Sequence, residues 1–331
     1  MGSSPEPQPK KAMKKLSLAL ISGGISTERE VSLNSGKQVH AALDKEKYDI
    51  RPYDPKTDLG KLVVDADHLD AALIILHGPY GEDGTVQGLL DLLDIPYQGA
   101  GVLGSATAMH KVMTKRLYTL AGLPVLPDVV IQKGQAFSSA DIMAELGLPV
   151  VIKPATSGSS IGMTIVRNAG DLDAAIEKAF RYDYEVLIEK FMAGIEITGG
   201  VLGNDNPEAL PLIEIIPGDG YEFFDYEAKY KAGATKEICP ARIDARLTSQ
   251  AQEYARTAHL ALRCLGYSRT DMILSGEELY LLETNTIPGM TATSLFPQAA
   301  QAAGYSFGAL LDRLIELSLE VHARRKKLQT A

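Results

Sequence analysis

Cysteine is scarce in this chain: 331 residues contain only Cys239 and Cys264. They are too few and too far apart in sequence to form a disulfide framework or a zinc site, which fits a reducing compartment. Both are expected to be buried or half-buried thiols. Long hydrophobic runs are missing too, since Ala71 to Leu76 falls far short of the roughly 20 residues a membrane helix needs. No secretory leader is read at the amino end, and Glu6 stands where a myristoylation motif wants Ser or Thr. The expectation is a cytoplasmic protein with no membrane partner. A long basic stripe is also absent, and the net charge of -9 with a pI near 5.3 argues against a nucleic-acid surface. The basic residues that do cluster, Lys10, Lys11, Lys14 and Lys15 at one end and Arg324, Arg325, Lys326 and Lys327 at the other, read as solvated ends. There is no internal repeat, and no low-complexity tract after residue 14.

What is present is an ordinary globular composition, 45% hydrophobic and 23% charged, with length for two or three domains. Residues 1–14 read as a disordered tail. Leu16 to Ile21 reads as a buried strand ending on Ser22-Gly23-Gly24, and a helix follows at once, with Thr27 and Glu30 in a capping-box pattern. Tyr48 to Pro52 and Ala71 to His77 are further strands and Thr85 to Leu93 a helix, so residues 15–110 form an open, parallel α/β unit. A helix from about Ala106 to Ala121 leads into a second module, 111–198, with strands at Pro127 to Ile131, Pro149 to Pro154 and Val186 to Phe191. A third module, 199–331, ends in a helix from about Ser306 to Ala323. The overall class is α/β, becoming α+β in the later modules.

The densest chemistry lies between Arg269 and Gly289. Asp271 follows Arg269 at the start of one apolar run, while Glu283 and Asn285 are two apart at the end of the next and so share a face. A hairpin through Ser275 to Glu278 brings Asp271 beside them. Carboxylates with an amide oxygen suit a hard cation held together with nucleotide phosphates; equally, three polar residues could line the exposed face of a hairpin.

Thr156 to Gly162 offers backbone N–H groups and hydroxyls as a phosphate cradle would, or as a plain hairpin turn. It is not a Walker A loop, because Ile161 and Met163 flank Gly162. Lys153 can present a point charge to a phosphate, and Glu189-Lys190 resembles an edge where an adenine or ribose is held. Gly23-Gly24 lacks dinucleotide-fingerprint spacing. Glu28 answers either to the helix dipole or to a ligand ammonium, and His77 is either a turn residue or a ligand-facing one.

Several motifs occur together and in order: Gly23-Gly with Glu28 to Leu33, His77-Gly to Gly88, Lys153-Pro with Gly158 to Gly162, Asp225 to Tyr230, Cys239-Pro, Arg269-x-Asp271, and Glu283-x-Asn285 to Thr291. Over about residues 16 to 320 this set resembles the D-alanine:D-alanine ligases, ATP-grasp enzymes of peptidoglycan synthesis. The resemblance implies a three-domain ATP-grasp fold and a homodimer. It also implies ATP as co-substrate with two Mg²⁺ ions, or Mn²⁺, and D-alanine joined to D-alanine through an acyl phosphate.

Residue by residue, it implies Asp271, Glu283 and Asn285 as metal ligands, and Lys111, Lys153, Ser159 and Lys229 at the phosphates. Glu189 and Lys190 take the adenine and ribose edge, and Arg269 with the backbone of Gly289 forms an oxyanion site. Glu28 binds the first ammonium, with His77 near its carboxylate, while Ser294 and Leu295 hold the second carboxylate. Glu28, Ser159 and Tyr230 occupy the positions of a hydrogen-bonded trio that closes a lid running from about Gly218 to Gly233. Tyr230 favours the dipeptide over a D-alanine:D-lactate product. His110 before Lys111 and Ser157 before the Gly-Ser-Ser motif depart from the usual pattern near nucleotide positions. The rivals are a ligase using D-lactate or D-serine and an ATP-binding sensor or scaffold without catalysis.

Overall fold

The computed structural model describes residues 14–218 and 235–329. The first unit runs β1 (Leu16–Ser22), α1 (Arg29–Ala42), β2 (Tyr48–Tyr53), α2 (Leu59–Asp65), β3 (Ala71–Ile75), α3 (Thr85–Leu92) and α4 (Val102–Met109). Its strands pair in parallel in the order β2-β1-β3, with Leu18 opposite both Ile50 and Ala71. Strands β1 and β3 are apolar on both faces because both are covered, as parallel strands must be. Ala19, Ile21 and Ile74 pack with Leu62 and Leu90, while Leu18, Leu20 and Leu73 pack with Val39 and with residues near the carboxyl end of the chain.

Helix α1 departs from the expected capping box. Its N-cap is Glu28, with no side-chain cap bond. Ser26 closes the turn, its Oγ accepting from the Glu28 N–H at 3.2 Å and donating to the His77 carbonyl at 2.7 Å. The loops after β1 and β3 are thereby tied together at the carboxyl edge of the sheet.

The single helix expected from Ala106 to Ala121 is two. Helix α4 ends at Met109 and α5 (Lys111–Leu120) starts after His110, whose extended backbone breaks the run. The Lys111 N–H bonds the Ala155 carbonyl at 2.8 Å, so a tertiary contact sets the break. Then come β4 (Asp128–Gln132), α6 (Ser139–Leu146), β5 (Val150–Pro154), β6 (Thr164–Val166), α7 (Leu172–Ala179) and β7 (Glu185–Lys190), forming an antiparallel sheet ordered β4-β7-β5-β6. Val150, Ile152, Val186 and Ile188 cover one face under Ile142 and Ile176.

The third sheet follows the order β11-β10-β8-β12-β13, from β8 (Ile195–Leu202), β9 (Glu208–Ala209), β10 (Ile213–Pro217), β11 (Thr235–Ile238), β12 (Tyr267–Ser275) and β13 (Glu278–Asn285), with β9 paired to β8. Helix α8 (Ala245–Ala261) lies close on β8, because a Cβ at Gly199 would sit 2.8 Å from that of Ala255. Helices α9 (Leu295–Ala302) and α10 (Phe307–Gln329) cross back, and Leu310, Leu311 and Leu314 complete the core of the first sheet. The basic end of α10 is not simply solvated: Arg325 pairs with Asp91 and Lys326 with Asp94, each at 2.7 Å. The expected tail falls outside the described residues except for Lys14.

Candidate active site

The antiparallel register of β12 and β13 sets Asp271 opposite Glu283 and Arg269 opposite Asn285, with a bulge between Asp271 and Met272. Asp271 is buried and held from several sides. Arg269 grips it through Nε at 2.9 Å and Nη2 at 2.8 Å, Thr198 donates at 2.6 Å and the Asn285 amide at 3.2 Å. Lys111 Nζ lies 3.2 Å from Glu283 and donates to the Ser157 carbonyl at 2.9 Å, linking the start of α5 to both the hairpin and the glycine-serine loop.

Two adjoining clefts meet along this line, sharing Lys111 and Glu283. The larger, about 500 Å³, is bordered by Glu28, His77, Ser159, Arg269, Asn285, Gly289, Ser294 and Leu295. The second, of about 150 Å³, is bordered by Lys153, Glu189, Lys190 and Asp271 with the apolar Ile161, Phe191 and Met192. Lys229 and Tyr230 lie outside the described residues, as does nearly all of the expected lid.

Family models and whole-chain relatives agree on what this arrangement is similar to. Residues 57–100 match the model for the N-terminus of D-ala D-ala ligase, and residues 117–316 match that for its C-terminus. The chain is 64% identical over 306 residues to the D-alanine–D-alanine ligase of Syntrophobacter fumaroxidans, covering 92% of this chain and 98% of that one. It is 54% identical to that of Desulfotalea psychrophila, covering 94% and 98%. The chain belongs to the D-alanine–D-alanine ligase family.

A crystal structure of the Bacillus anthracis D-alanine–D-alanine ligase complexed with ATP superposes on this fold with a TM-score of 0.83 at 35% identity, covering 94% of this chain and 99% of that one. The Coxiella burnetii ligase gives a TM-score of 0.84 at 29% identity, covering 96% and 97%. The architecture is therefore ATP-grasp, with a parallel sheet in the first unit and antiparallel sheets elsewhere.

Several of the candidate residues within the described part of the chain have a definite setting. Ser159 donates to the Glu28 carboxylate. Ser159 has φ +49°, in the left-handed region, where the tight loop aims its hydroxyl across the cleft. His77 is buried, its Nε2 has no hydrogen-bond partner among the described residues, and burial lowers its pKa despite Glu28 nearby. Ser294 Oγ lies 2.7 Å from Thr291 Oγ1 and accepts from the Thr291 N–H at 3.1 Å. Leu295 is buried at the start of α9. Gly289 packs so closely that a Cβ would fall 3.1 Å from the Ser294 hydroxyl.

Glu189, expected at an adenine or ribose edge, borders the second cleft from a buried position. Its side chain is 1% exposed, with Lys115 donating to one oxygen at 2.6 Å and Lys153 to the other. Burial alone would raise its pKa, but the two lysines together lower it; Lys153 is raised in turn, because Glu189 outweighs the desolvation. Lys190, the next residue, is exposed.

Of the acidic residues that border the clefts, Glu30, Glu82, Glu196 and Glu237 were not among the expected site residues. Glu82 caps the His77 loop by accepting the Gly78 N–H at 2.6 Å, and burial together with the nearby Glu28 pushes its pKa up to about 8. Its signal was the Gly-Glu-Asp-Gly stretch after His77. Glu196, at the start of β8, borders the second cleft and gave no signal beyond its charge in a strand.

Proposed function

We propose that the protein uses ATP to join D-alanine to D-alanine through an acyl phosphate, supplying peptidoglycan synthesis from the cytoplasm as a homodimer. The observation that carries this reading is the joining of the two clefts at Lys111 and Glu283. One cleft has the apolar wall and lysines that suit a nucleotide; the other has the carboxylate, imidazole and hydroxyls that suit amino acids.

In this reading Lys111, Lys153 and Lys229 neutralise the phosphates, and Ser159 with its loop covers them. Glu189 and Lys190 border the adenine and ribose side. Glu28 takes the first ammonium, His77 lies near that substrate's carboxylate, and Ser294 and Leu295 orient the second carboxylate. Arg269 and the Gly289 N–H stabilise the tetrahedral oxyanion, and such preorganised donors each contribute about 3 kcal/mol. The salt bridge to Asp271 fixes the guanidinium before the reaction begins. The lid expected from Gly218 to Gly233, with Tyr230, falls on residues outside the described ones except for Gly218.

Asp271, Glu283 and Asn285 form a set of hard oxygen donors at one hairpin end, and that chemistry fits two Mg²⁺ or Mn²⁺ ions shared with nucleotide phosphates. Among the described residues no group of three or more His, Cys, Asp or Glu that could hold a metal ion is present. When bound, such ions supply charge neutralisation at the transferring phosphoryl group. Also among the described residues, no helix is long and apolar enough to cross a membrane. We divide the chain functionally at 15–110, 111–198 and 199–331.

Phosphate release from ATP and Mg²⁺ tests the reading. D-alanine should support release and L-alanine should not, and equal release with either, or with neither, would count against it.

A further inference from the structure

Beneath the second cleft lies a lysine that borders neither cleft. Lys115, on α5, has a side chain only 3% exposed, and its ammonium reaches the Leu126 carbonyl at 2.7 Å, Glu189 Oε1 at 2.6 Å and Asp128 Oδ1 at 3.0 Å. An ammonium has three protons, and three acceptors use them all. Lys115 is therefore in no position to donate to a ligand as well. Glu189 spends its other oxygen on Lys153, which does border the cleft.

Packing alone does not account for a charge at this depth. A buried ion pair is commonly replaceable by apolar groups of similar volume at no loss of stability, whereas removing one partner strands the other charge. The four side chains, Lys115, Lys153, Glu189 and Asp128, sum to zero. Without Lys115 the cluster would carry a net negative charge beside the place where phosphates arrive, and Glu189 would be anchored only by Lys153.

We propose that Lys115 is a positioning residue of the nucleotide cleft: it holds Glu189 by one oxygen so that the other fixes the Lys153 ammonium at the cleft wall, and its charge keeps the cluster neutral toward incoming phosphates. Lys115 lies one helical turn after Lys111, so one helix delivers a phosphate-facing lysine and the lysine that sets the next. This inference rests on reading the second cleft as the nucleotide's.

The test is the ATP dissociation constant of the full-length protein with Mg²⁺, read beside the KM for D-alanine, in the unaltered protein and in Lys153→Met, Lys115→Met, Asp128→Asn and Lys115→Met/Asp128→Asn. Lys115→Met should weaken ATP about tenfold or more, as a stranded buried carboxylate near phosphates demands. The KM for D-alanine should stay within about twofold, and the double variant, neutral again, should bind ATP more tightly than Lys115→Met. A folded Lys115→Met with unchanged ATP affinity, or with ATP and D-alanine constants rising in parallel, overturns the proposal. If Lys115→Met does not fold, the double variant is compared with Asp128→Asn by the same criterion. Lys153→Met separates the two levels of the argument: if it leaves ATP binding unchanged, the assignment of the cleft fails, whereas weakened binding there with none in Lys115→Met sinks only the role of Lys115.

Discussion

The hydroxyl of Ser159 donates to the carboxylate of Glu28 across 131 positions of sequence, joining the glycine-serine loop to the N-cap of α1. One partner comes from the parallel unit and the other from the antiparallel one, so the bond fixes the width of the larger cleft at the proposed ammonium site. A hydrogen bond to a charged group contributes about 1.5–3 kcal/mol. Ser159→Ala should therefore lower kcat/KM for D-alanine by about tenfold to a hundredfold while leaving the melting temperature nearly unchanged. Steady-state kinetics and a thermal melt check this, and unaltered kinetics would remove Glu28 and Ser159 as a working pair.

Glu283 borders both clefts and faces Asp271 across the hairpin. Glu283→Gln keeps the shape but removes one charge from the proposed metal-binding pair. Turnover should fall below detection with the fold intact by circular dichroism. Near-normal activity in this variant would discard the metal assignment.

Much of the frame could be read from local pattern. Strand β3 is an unbroken apolar run and β1 is apolar apart from Ser17 and its closing Ser22, because both faces are covered, and the β12–β13 hairpin shows itself by alternation around Ser275-Gly276. What escaped reading was set by distant contacts. The break at His110 carries no glycine or proline and depends on the Lys111 N–H reaching Ala155. The basic end of α10 reads as solvated until Arg325 meets Asp91, 234 positions away. Lys115 looks like any lysine on a helix, since the carboxylates around it lie on β4 and β7. The arrangement around Arg269, Asp271 and Glu283 was legible because those residues are neighbours along one hairpin.

Phe296 measures how firmly α9 is held to the third sheet. It is 1% exposed, meets Tyr267 edge to face at 5.3 Å, and leaves a Cβ at Gly200 only 3.2 Å of clearance. Phe296→Ala opens a cavity there and should cost about 3–5 kcal/mol, measurable by denaturant unfolding. A loss under about 1 kcal/mol would mean that the site collapses around the smaller side chain.

His259 contributes a pH dependence away from the clefts. Burial depresses its pKa to about 4, and its Nδ1 bonds Ser268 at 2.8 Å. Between the ordinary histidine value near 6.5 and this depressed value, the unfolded chain binds a proton that the folded chain does not. The contribution is complete above about pH 6.5 and is lost as pH falls toward 4, amounting to about 3 kcal/mol at most. Unfolding free energies measured from pH 7 to pH 4 should therefore fall less steeply in His259→Asn than in the unaltered protein. Equal slopes would show that His259 is not buried in its neutral form.

The most direct test of the ligase account is the fate of oxygen. With ATP, Mg²⁺ and D-alanine labelled with ¹⁸O in its carboxylate, a labelled oxygen attacks the γ-phosphorus, and the C–O bond breaks when the second amine attacks. Mass spectrometry should find one ¹⁸O in the released phosphate and, in the product, the mass of D-alanyl-D-alanine carrying the three remaining ¹⁸O atoms. Unlabelled phosphate, or ADP formed without dipeptide, would contradict it.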